Sequence, residues 1–151
     1  MIKKIMKTTF KILFSIFLLA GLVGVSKAQC NQFAKKTCMP ELNPFTHNGQ
    51  LNIQQMAPGE EAELDLTFYS GMSYRLLICS QEILGKAQFQ VYDNKNKIVF
   101  DNKDHNMAKF WEFEVASTQQ MKVVVIIPPA AKASNDISKV GCAAVLVGFK
   151  Q

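Results

Sequence analysis

Between Ala87 and Asp101 the chain reads AQFQVYDNKNKIVFD, two extended segments around a polar turn. Ala87, Phe89 and Val91 alternate with Gln88, Gln90 and Tyr92, so apolar and mostly polar side chains fall on opposite faces at period two. Asp93 to Lys97 supplies residues that tolerate turn conformations, and Ile98, Val99 and Phe100 resume the apolar run. A lone hairpin is marginal in water. This one therefore needs more strands and a second layer to bury Phe89, Val91, Ile98 and Phe100.

The rest of the chain supplies them. Glu61 to Tyr69 is the clearest strand: Ala62, Leu64, Leu66 and Phe68 point one way and Glu61, Glu63, Asp65 and Thr67 the other. That alternation puts one face on a core and the other in water, as in an antiparallel sheet. Further strands are predicted at Leu51–Gln54, Ser73–Cys79, Phe110–Val115, Met121–Ile127 and Gly141–Phe149. The Ser73–Cys79 segment is apolar on both faces except at Arg75, which suits a central strand. About eight short strands and no convincing amphipathic helix predict an all-β fold, an antiparallel β-sandwich of Greek-key or jelly-roll kind.

The runs SYRLLIC, AQFQVYDNKNKIVFD, WEFEV, MKVVVIIP and GCAAVLVGF, spread over Glu60 to Phe149, resemble the bacterial pre-peptidase C-terminal domain family. Those domains are small β-sandwiches on secreted proteins, with a VYD–turn–V hairpin at the centre. The resemblance implies a noncatalytic accessory or binding role.

Ahead of the strands lies an address. Lys3, Lys4, Lys7 and Lys11 form a basic stretch, Ile12 to Val25 an apolar one of 14 residues, and Ser26-Lys27-Ala28 a small-residue cleavage site. Fourteen residues fall short of the roughly 20 that span a bilayer. The expected organisation is a signal peptide at 1–28, a cysteine-containing lead-in at 29–49 and the sandwich at 50–151. The expected product is periplasmic or secreted, without stable membrane insertion. Lys27 and Gln29 do not fit a lipid-modification box before Cys30. Of the 17 basic residues, Lys3, Lys4, Lys7, Lys11 and Lys27 leave with the signal, so the remainder balance the 12 acidic ones. A neutral mature chain gives no basic stripe for nucleic acid.

Four cysteines, Cys30, Cys38, Cys79 and Cys142, predict two disulfides in an oxidising compartment. Their spacings match no structural zinc pattern. Cys79 ends one strand and Cys142 begins the last, so the expected pairs are Cys79–Cys142 and Cys30–Cys38. The second requires that 31–37 is not a straight helix, whose eight-residue rise separates its ends by ~12 Å. The crossed pairings, which tether the lead-in to the core, stay open.

No GxSxG elbow and no HExxH occurs. Asp101 and Asp104, in the run DNKDHN, offer oxygen ligands for Ca²⁺, but the segment lacks a calcium-loop spacing, and such residues populate turns for their own hydrogen bonds. Trp111 shares a strand face with Phe113 and Val115 and is expected in the core. Phe110 and Tyr92 lie on the opposite, mostly polar faces of their strands and are the candidates for a surface patch. The expected function is a disulfide-stabilised, exported, noncatalytic module that binds a protein or glycan partner and needs no cofactor. The alternatives are a secreted hydrolase with an unrecognised active site and a carbohydrate-binding module using surface aromatics.

Overall fold

Period-two alternation is realised as two antiparallel sheets packed face to face. The computed structural model describes residues 25–129 and 140–151. Its strands are β1 (Thr46–His47), β2 (Asn52–Met56), β3 (Glu61–Phe68), β4 (Ser73–Ser80), β5 (Gln88–Tyr92), β6 (Ile98–Asp101), β7 (Phe110–Glu114), β8 (Gln119–Ile126) and β9 (Gly141–Lys150). One sheet runs β9–β4–β7, with β1 and β2 both pairing along the remaining edge of β9; the other runs β3–β8–β5–β6. The long apolar strands β4, β8 and β9 are interior in their sheets, where both neighbours supply hydrogen bonds.

The core between the sheets takes one alternate set from each strand. Tyr74, Leu76 and Ile78 of β4 and Val145 and Val147 of β9 meet Leu66, Phe68, Phe89, Val91, Val123 and Val125 from the facing sheet. Fully burying side chains of this size contributes roughly 1.5–3 kcal/mol each. The β5–β6 hairpin forms as expected, with one correction. Phe89, Val91 and Phe100 are buried, but Ile98 is exposed. A bulge at Val99 of β6, opposite the Val91–Tyr92 step, sets Ile98 opposite Tyr92 and turns it out of the core.

The lead-in is more ordered than its composition suggested. It forms α1 (Val25–Phe33), tightens through a π-helical turn at Ala34–Cys38, and ends in a 3₁₀ turn at Met39–Leu42. This segment packs on the outer face of the β9–β4 sheet, where Ala34, Cys38 and Leu42 cover Leu77, Cys79, Ala144 and Leu146. The apolar second faces of β4 and β9 are thereby explained: they serve a third layer. Small residues allow the close approach. A Cβ on Gly148 would lie 2.6 Å from Cβ of Phe45. Helix α1 runs through the expected cleavage point after Ala28, and residues 1–24 of the expected signal lie outside the described residues. No described helix is long and apolar enough to cross a membrane.

The expected disulfide pairing is overturned. The bridges are Cys30–Cys142 and Cys38–Cys79, with Cα separations of 5.4 and 5.8 Å. Register supplies the reason. Cys79 pairs with Ala144, so Cys142 sits diagonally from it, two residues along β9. Both thiols point to the outer face, where the lead-in lies. The lead-in is helical, which keeps Cys30 and Cys38 apart and offers each to a different strand. Cys30 is thus committed to a disulfide and has no thiol left for lipid.

Candidate functional site

The two long sides of the sandwich differ. At the β6–β7 side, aromatic rings bridge the sheets: His105 stacks on Phe100 at 4.8 Å, Phe100 on Trp111 at 4.9 Å, and Trp111 on Phe113 at 4.0 Å between centroids. Trp111 faces inward with Phe113, as expected, but it is half-buried, because β7 is an edge strand. Phe113 continues into Phe68 and Tyr74, with centroids 4.9 and 5.7 Å away. The stack closes this side.

Among the described residues the opposite side is open. Between β2 and β3 a cleft of about 340 Å³ is walled by Met56, Ala143 and Val145 from one sheet and Ala62, Leu64 and Val125 from the other. Side-chain size causes it. Where Phe68, Tyr74 and Phe113 fill the far end of the sandwich, this end has Ala62 and Ala143. The polar groups at the rim are the amides of Asn52 and Gln54 and the carboxylate of Glu63. A mostly apolar recess with a few amides suits binding of an apolar group. No sequence pattern announced it, because it depends on how the two sheets superpose. A larger recess of about 530 Å³ lies under Glu82, Lys86, Met107 and Lys109, walled chiefly by connecting segments rather than by strand edges.

The sequence-predicted binding aromatics do not come together. Phe110 is 42% exposed on the outer face of one sheet, whereas Tyr92 is half-buried on the outer face of the other. They cannot form one patch. Phe110 instead lies against Arg75, whose guanidinium carbon is 4.5 Å from its centroid and 4.7 Å from that of Phe45. Arg75 Nη1 donates to the carbonyls of Glu41 and Asn43 at 2.9 Å each, and Nε donates to Glu112 Oε1 at 2.9 Å. This arginine therefore ties the end of the lead-in to the sheet.

Tyr92 heads a polar row across β5 and β6. Its hydroxyl donates to Gln90 Oε1 at 2.7 Å, Gln90 Nε2 donates to Asp101 Oδ2 at 2.7 Å, and Gln88 Nε2 donates to both oxygens of Asp101 at 3.1 Å. The Lys122 ammonium sits 5.3 Å above the Tyr92 ring. Asp101 also accepts from the backbone N–H of Lys103 at 2.9 Å, capping the 3₁₀ turn at Asn102–His105. Partial burial alone would raise the Asp101 pKa, but hydrogen bonds from Gln90, the Lys103 backbone and Gln88 outweigh it and hold the carboxyl below its ordinary value.

Asp104 is exposed on that turn. Among the described residues no three His, Cys, Asp or Glu groups converge as metal ligands. The residue in this run that sequence reasoning missed is Asn102, buried at 1% exposure. Its Oδ1 accepts from Phe89 N at 2.9 Å, and its Nδ2 donates to the carbonyls of Ala87 and Ala108 at 3.1 Å each. It fastens the turn to the start of β5.

No family model matches the chain, and no curated protein matches it. Among solved structures, the chain is similar to the crystal structure of Aeromonas hydrophila PliG, a periplasmic lysozyme inhibitor of g-type lysozyme. The identity is 11%, the match covers 71% of this chain and 89% of that one, and the TM-score is 0.47. A likeness of that size sets no role for this chain.

Proposed function

We propose that the protein is an exported, noncatalytic binding domain that takes an apolar group of a protein partner into the cleft between β2 and β3. The cleft carries this reading: about 340 Å³ of space beside two strand edges, with apolar walls and amide groups at the rim. Its lining offers one carboxylate, Glu63, whose oxygen lies 3.9 Å from Lys122 Nζ. Two disulfides and the signal-like leader at 1–28 support export. An accessory role of the kind the pre-peptidase C-terminal resemblance implies is compatible with such a module.

The test places a photo-crosslinking amino acid at Gln54, on the rim, in the cells that export the protein. A discrete adduct is expected. It should disappear when Ala62→Leu fills the cleft while the melting temperature stays near that of the parent. An undiminished adduct in the filled, folded variant would refute the reading.

A further inference from the structure

We infer that β3 is the docking edge for an extended, basic segment of a partner polypeptide, which joins the sheet as an additional antiparallel strand. The inference deepens the cleft reading and rests on it. Among the described residues β3 has β8 on one side and no strand on the other. It runs for eight residues in unbroken register with β8, so alternate N–H and C=O groups face away from β8 and have no partner strand among the described residues. The other edges are poorer templates: β1 and β2 are only two and five residues long. β6 has four residues and itself carries a bulge at Val99, and β7 lies beside the aromatic stack that closes its side.

Side chains define the guest. Outward, β3 presents Glu61, Glu63 and Asp65; inward, it presents Ala62 and Leu64 at the lip of the cleft. An added strand would set its own outward residues beside those carboxylates and its inward residues over the cleft. Alternating basic and apolar residues satisfy both faces. A second copy of the chain pairing through β3 would bring carboxylate against carboxylate, which cross-strand pairing disfavours. Charge therefore selects a basic partner over self-association.

The experiment titrates isotope-labelled protein with a peptide of alternating lysine and valine, matched in length to β3. Binding should shift β3 amide resonances and the methyl signals of Met56 and Val125. N-methylating alternate residues along one edge of the peptide should weaken it about tenfold or more. The double variant Glu61→Lys, Asp65→Lys should weaken it about tenfold and improve binding of a glutamate–valine peptide. Equal binding of the N-methylated peptide, indifference to charge reversal, or shifts centred on β6 or β7 would each overturn strand addition. An indole fragment separates the two levels. If it shifts Met56 and Val125 while the lysine–valine peptide does not bind, the cleft reading stands and strand addition falls. If neither binds, both fall.

Discussion

Arg75 and Phe110 lie diagonally across the β4–β7 pair, with the guanidinium carbon 4.5 Å from the ring centroid. The contact makes Phe110 part of the fastening that holds the lead-in. Arg75 is only 13% exposed in its side chain, and it serves backbone carbonyls of Glu41 and Asn43 as well as Glu112. Arg75→Ala is expected to destabilise by about 2–3 kcal/mol, because charge-assisted bonds are lost and carbonyls are left unpaired. Phe110→Ala should cost about 1 kcal/mol, the loss of one cation–aromatic contact. Denaturant melts of the two variants check the order; an Arg75→Ala protein as stable as the parent would contradict it.

Disulfide mapping should recover Cys30 linked to Cys142 and Cys38 linked to Cys79, with no alkylatable thiol before reduction. The bridges close sequence separations of 112 and 41 residues. In the chain-entropy model they stabilise by roughly 5 and 4 kcal/mol. A Cys30–Cys38 peptide in the digest would contradict the placement of the lead-in.

Much of the sandwich was legible in the sequence, because alternation along β3 and β5 reports directly which side chains share a face. What escaped depends on relations between elements. The disulfides turned on the register that sets Cys79 opposite Ala144. The outward turn of Ile98 came from a bulge that one strand's pattern cannot show. The apolar outer face of β4 looked like a mark of centrality. It is central, but Leu77 and Cys79 are buried there by Ala34, Cys38 and Leu42. The cleft required Ala62 and Ala143, 81 positions apart in the numbering of the chain, to flank the same space.

Asn102 shows the same limit at a single residue, since nothing local separates it from Asn94, Asn96 or Asn106. Asn102→Ala would leave the buried N–H of Phe89 and the carbonyls of Ala87 and Ala108 without this partner. The expected destabilisation is about 2–4 kcal/mol, with Asn94→Ala, on an exposed site without a positive φ, as a milder comparison. Equal melting temperatures for the two variants would contradict that assignment.

Acid sensitivity follows from Asp101. Its folded-state pKa lies below the ordinary carboxylate value, so the folded protein favours the ionised form. That contribution is present above the unfolded pKa, near 4, and is lost as pH falls through the depressed folded value. Asp101→Asn should therefore lower stability at neutral pH and flatten the stability profile below about pH 4. A variant whose acid-limb slope matches the parent's would contradict the role given to the Gln90–Asp101–Gln88 row.

Hydrogen exchange on the exported protein, isolated with its crosslink-identified partner and again after the partner is removed, tests the binding surface most directly. In the free protein the amides of Glu61–Phe68 that face away from β8 should exchange fast; in the complex they should be protected together with Met56. Protection confined to Phe110, to the Tyr92–Gln90 row or to β6, with Glu61–Phe68 unchanged, would contradict the assignment of the β2–β3 side as the binding site.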